Sequence, residues 1–224
     1  MINYNTQGMS SHRANEVRQR GLDDEVTFTN GLKLEPPIPG TDKNDARFRN
    51  GKTISLKGGN RLQYQTISPY SEKLDKIDAG DRMRSMALLF RNIPAEVRWK
   101  PSLMNQRKEE LATQQKAFAK FLNQDDNLLQ FARQVLFMNK DGSYVDYLGI
   151  KEIDIPVYHV FHREDVAITI ANYCNAVGSK GRGGDGIDYQ KTIIKSKYNI
   201  IQNEIRKDTG NFNCIGDRHQ MLNL

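Results

Sequence analysis

Cysteine is scarce in this sequence. Cys174 and Cys214 are the only two, and a forty-residue separation fits neither a zinc ribbon nor a redox pair. A length of 224 residues excludes a disulfide-stapled miniprotein and lets the chain bury a core, with buried free thiols as the expected state. Long apolar runs are also missing: nothing approaches about 18 consecutive apolar residues, which excludes a spanning helix. The first thirteen residues, Met1 to Arg13, lack the apolar stretch of a secretory leader; the expectation is a protein that stays in the cytoplasm or in an assembled particle, with no membrane partner. No internal repeat is visible.

Hydrophobic residues make up 38% of the chain, below the roughly 45–50% of an average globular sequence, which points to a polar segment outside the core. Residues 1 to 23 supply it. They are rich in Asn, Ser, Gln and Arg and bury too little apolar surface to offset ordering entropy. The formal charge is +6, with both signs mixed along most of the chain. Residues 61 to 122 carry twelve Lys and Arg against seven acids, whereas 123 to 177 carry four against eight. That contrast predicts a polarised surface.

After the polar segment, Val26 and Phe28 alternate with polar residues, Asn30-Gly31 follows, and Leu32 and Leu34 resume the alternation. This is a type I′ hairpin signal. Further alternation through Ile54, Leu56, Leu62 and Tyr64, around Asn50-Gly51 and Gly58-Gly59-Asn60, predicts two more turns between short strands. Residues 1–67 thus read as an extended arm with β-hairpins. Such hairpins are marginal alone and need another surface, either the body or a neighbouring subunit.

From residue 68 the period lengthens. Stripes at Met83, Met86, Ala87 and Phe90, then Met104, Leu111, Phe118, Phe121 and Leu122, then Leu128, Phe131, Ala132, Val135 and Leu136 predict three helices. Strands are expected around 143–161, and a fourth helix on Val166, Ile170, Tyr173, Cys174 and Val177. A last long helix is read from Asp185 or Asp188 through Ile194, Tyr198, Ile201 and Ile205 to Gly210. The fold class expected is α+β: residues 68–224 as a mostly helical body of four to five helices, interrupted by one small sheet.

Ser179-Lys-Gly-Arg-Gly-Gly-Asp-Gly186 is a basic, glycine-rich loop, and unhindered amides beside Lys180 and Arg182 can bind an anion. The spacing is not that of a phosphate loop, and Asp185 opposes an anion, so a connector is the simpler reading. Arg82, Arg84, Arg91, Arg98 and Lys100, interleaved with Trp99, offer phosphate contact without a nucleic-acid-binding motif. His159 and His162 are three apart, which on a strand sends them to opposite faces and disfavours a shared metal. No catalytic set, cofactor or metal site is assigned.

The function expected is a non-enzymatic structural or interaction component of a large assembly, virion-like or otherwise. In it the arm docks on neighbouring subunits through Val26, Phe28, Leu32, Leu34, Ile54, Leu56, Leu62 and Tyr64. Nucleic acid is a further partner through charge alone, by way of Lys180, Arg182 and the residue 82–100 cations. Two other classes remain open: an enzyme acting on nucleic acid or a phosphorylated ligand through the glycine-rich loop, and a soluble effector that binds one partner protein.

Overall fold

The computed structural model describes residues 19, 23, 25–36, 43–59, 61–91, 101–152, 155, 157–182, 188–206 and 209–224. The first helix, α1 (25–31), is followed by strands β1 (Ala46–Arg47), β2 (Thr53–Lys57) and β3 (Arg61–Ile67), and a 3-10 turn at Glu72–Lys76. Next come helices α2 (Gly80–Arg91), α3 (Pro101–Leu122) and α4 (Asn127–Phe137), strands β4 (Tyr147–Lys151) and β5 (Tyr158–His162), and helix α5 (Arg163–Tyr173). Strands β6 (Asn175–Arg182), β7 (Asp188–Lys195), β8 (Asn199–Ile205) and β9 (Phe212–Asp217) precede α6 (Arg218–Leu222).

Two sheets result, ordered β1-β2-β4-β5 and β3-β9-β8-β7-β6. The larger is antiparallel throughout, whereas β2 and β4 of the smaller run parallel. A main core joins Phe90, Phe118, Phe131 and Phe137 from the helices to Leu62, Ile194, Ile201 and Phe212 from the large sheet, and to Leu148 and Ile150 from one face of the small one. The opposite face of the small sheet carries a satellite core of Phe28, Ala46, Ile54 and Leu56. At its centre Gly149 leaves room for Leu56, since a Cβ there would lie 2.7 Å from Leu56 Cδ2.

The expected mostly helical body with one small sheet is overturned: the described residues hold nine strands in two sheets beside the helices. The largest error is the last helix, because 188–205 forms the antiparallel pair β7–β8. Ile194, Tyr198, Ile201 and Ile205 do recur every three or four residues. Yet Ile193 and Ile194 are both buried, as are Ile200 and Ile201, and neighbours on a strand point to opposite faces. β-Branched residues, stiff at χ1, favour that arrangement. The fourth helix stops at Tyr173, so Val177 and Gly178 belong to β6. Asn123 explains the switch, since its side chain accepts from Ala176 N at 2.7 Å and donates to Ala176 O at 2.8 Å.

The hairpin expected around Asn30-Gly31 is instead the end of α1. Leu34 N donates to Thr29 O at 2.9 Å and Lys33 N to Asn30 O at 3.2 Å, with Lys33 left-handed at φ 52. This is a Schellman closure. Asn50-Gly51 does turn β1 into β2, with Gly51 at φ 82. Gly58-Gly59, by contrast, carries the chain from one sheet to the other rather than closing a hairpin.

Candidate functional surfaces

The eight residues expected to dock a neighbour are divided among three environments. Leu62 and Tyr64 lie in the main core, and Phe28, Ile54 and Leu56 in the satellite core, with Leu34 packed against the latter. Phe28 meets the Tyr158 ring at 4.3 Å between centroids. Val26 and Leu32 alone are well exposed, at 58% and 54%. For Phe28, Ile54, Leu56, Leu62 and Tyr64 the apolar character reflects burial inside the chain.

Of the expected cations, Arg82, Arg84 and Arg91 have described side chains, and each is engaged within the chain. Arg84 is held by Asp75 and Asp81 and donates to Pro69 O. Arg82 lies over the Phe121 ring at 4.6 Å, and Arg91 over Tyr70 at 5.7 Å while donating to Thr209 O. Arg98 and Lys100 lie outside the described residues. Lys180 and Arg182 fall on β6, opposite Gln190 and Asp188 of β7; the glycine-rich segment therefore joins two strands, not two helices, and residues 183–187 lie outside the described set. His162 caps α5, accepting from Glu164 N, whereas His159 pairs with Glu152 Oε1 at 2.5 Å. Burial pushes the Cys174 thiol up to about 11 and that of Cys214 to about 12, Lys43 acting weakly against it at Cys214. Neither thiol is poised as a nucleophile at neutral pH.

The small sheet offers a different surface, which sequence reading did not single out. β5 ends the sheet order and pairs only with β4 among the described strands. Ile155, Val157 and Val160 are exposed at 45%, 42% and 44%. Val157 lies just before the strand, where its carbonyl accepts from Glu152 N, and alternation puts it and Val160 on opposite sides of the pleat. Edge strands are commonly blunted by charge, proline or a bulge; β5, Tyr-His-Val-Phe-His, contains no Lys, Arg, Asp, Glu or Pro. The composition was readable, but nothing local tells an edge strand from a central one.

The inner boundary of that sheet is fixed by polar contacts. Asp146 accepts from Lys52 Nζ at 2.7 Å, Thr53 N at 2.9 Å and Thr53 Oγ1 at 3.2 Å, and its own N–H donates to Thr53 O at 3.1 Å. Burial alone would raise its carboxyl; the Lys52 and Thr53 bonds outweigh that and hold it below the usual value. Glu164 is shifted the same way, burial being outweighed by Arg163 and Arg133, so it ties α4 to the start of α5.

Among the described residues no helix is long and apolar enough to cross a membrane. No family model matches the chain, and no curated protein matches it.

Proposed function

We propose that this protein is a non-enzymatic interaction component of a macromolecular assembly, in which β5 accepts an extended segment from a neighbouring subunit. The observation that carries the reading is the edge strand without Lys, Arg, Asp or Glu, with exposed Val160 on it and exposed Ile155 and Val157 just before it. Backbone hydrogen bonds along such an edge supply affinity with little demand on side-chain identity, and the flanking apolar groups add burial. The polar N-terminal segment of a second copy is the occupant. Residues 1–18 carry Arg13 and Arg18 against Glu16 alone, while 123–177, which contain β5, have four more acids than bases. Opposite charge favours their encounter.

Multi-angle light scattering tests the reading. The full chain is expected to self-associate, and both deletion of residues 1–18 and Val160→Lys with Val157→Lys should lower the mass toward that of one chain. A full chain that stays monomeric at all accessible concentrations, or an oligomer indifferent to both changes, would defeat it. A strict one-to-one complex with an unrelated protein would favour the effector class instead.

A further inference from the structure

Tyr198 was expected on the buried stripe of a last helix, yet it stands 52% exposed in the turn between β7 and β8. Tyr173, at the end of α5, is 69% exposed. Neither ring belongs to a core, and strand register brings both to one end of the large sheet. Asn175, two residues after Tyr173, pairs with Lys195, and Lys195 pairs with Asn199, the neighbour of Tyr198. Further along the same end, Arg61 of β3 pairs with Asp217 of β9, and Arg218 follows. From β6 to β3 this end crosses four strand spacings, about 19 Å.

The end is cationic. Arg61, Lys195 and Lys197 are exposed, and Lys197 Nζ lies over the Tyr198 ring at 5.3 Å, a contact that leaves its charge in place. Among the described residues no carboxylate pairs with these three or with Arg218. The acid closest in register, Asp217, is engaged in capping α6, where its Oδ1 accepts from Gln220 N at 3.0 Å. Asp125 and Asp126 belong to the β6 side, following Asn123, which bonds the backbone of Ala176.

A second, independent feature is the Arg218 guanidinium. Its Nε and Nη1 are buried and have no hydrogen-bond partner. Arginine cannot shed its charge and its nitrogens only donate. Burying two of them without an acceptor costs free energy, which an anion bound at that point would recover.

We propose that this end of the large sheet binds single-stranded nucleic acid. Phosphates meet Arg61, Lys195, Lys197 and Arg218, the guanidiniums taking phosphate oxygens in pairs and the ammoniums acting as point charges. Unstacked bases lie on Tyr198 and Tyr173, since every base offers a π-face to an aromatic ring. Charge alone would suit any polyanion; the exposed rings single out a strand whose bases are free. These residues are distinct from Lys180, Arg182 and the residue 82–100 cations, and the site depends neither on the β5 edge nor on self-association.

Fluorescence anisotropy of the full chain with labelled oligothymidylate and oligouridylate of about fifteen nucleotides, at several salt concentrations, tests it. Saturable binding is expected, tighter for single strands than for a duplex of equal length. Tyr198→Ala should weaken it about tenfold with the salt slope unchanged. Lys195→Gln should weaken it and lower the logarithmic salt slope by about 0.7. Both side chains are exposed, so these variants keep the fold. Lys33→Gln, exposed at the closure of α1, is the control and should change nothing. Absence of saturable binding at low salt, equal weakening by Lys33→Gln, or Tyr198→Ala affinity within twofold of the intact chain would each overturn the proposal. A duplex bound as tightly as the single strands would overturn the stacking contact. Binding of only one of the two oligonucleotides upholds the site and tells DNA from RNA.

Discussion

The two sheets are stabilised by different means. The large sheet lies on the aromatic and aliphatic surface of the helices, with Ile194, Ile201, Phe212 and Cys214 almost wholly buried. The small sheet shares Leu148 and Ile150 with that core, while on its other face four buried residues gather among those described, and carboxylates at Asp45 and Asp146 fix its strands. Its outer strand pairs on one side only among the described strands and is partly apolar. Regions with few buried contacts open at lower free energy than the global core, and binding elements are drawn from them. The large sheet is thus read as scaffold and the small one as the adaptable surface.

The sharpest way to break this contrast is to damage the scaffold. Phe118 is fully buried and meets Phe131 edge-on at 5.5 Å and Phe212 at 6.3 Å, bridging α3, α4 and β9. Phe118→Ala should cost about 3–5 kcal/mol, measured by denaturant unfolding, and both sheets should be lost together. A small-sheet signal surviving after the large sheet melts would show that the satellite core stands alone.

A smaller loss is expected at the polar fastening. Asp146→Asn keeps the shape but removes the charge that Lys52 and Thr53 stabilise, and should cost about 1–3 kcal/mol at neutral pH. The folded carboxyl is held below its ordinary value of 3.8. Its contribution is therefore complete above 3.8 and lost as pH falls through the folded value. Thermal melts of the two proteins should differ at neutral pH and converge in acid; a constant gap would mean that the lost stability is steric.

How the sequence was legible follows the same division. The helices α2 to α5 were readable because their apolar stripes face one core, as Met83, Met86 and Phe90 do in α2. The strands β7 and β8 were not, since Ile193-Ile194 and Ile200-Ile201 face both sides of a covered sheet and leave no alternation to read. The Asn50-Gly51 turn was visible from local chemistry, whereas Asn30-Gly31 was misread because a Schellman closure uses similar residues. The β5 surface could not have been found by spacing, because its place at the end of the described sheet order is a property of topology rather than of its own sequence.

The smallest effect is expected where α1 rests on the small sheet. Phe28 joins the satellite core through the Tyr158 ring, and Tyr158 lies on β5. Aromatic pairs of this kind contribute about 0.5–1.5 kcal/mol beyond their burial. If α1 docks as a local unit, Phe28→Ala should undock it without unfolding the scaffold, because undocking limits the loss to the contacts α1 itself makes. Hydrogen exchange would then accelerate at 25–31 and along β5 while β8 and β9 kept their protection. Slower exchange in β5 on self-association, retained in Phe28→Ala, would place the neighbour's segment on the open edge and not on the face that α1 covers. Equal acceleration across both sheets would instead make α1 part of the scaffold and remove the distinction between the two regions.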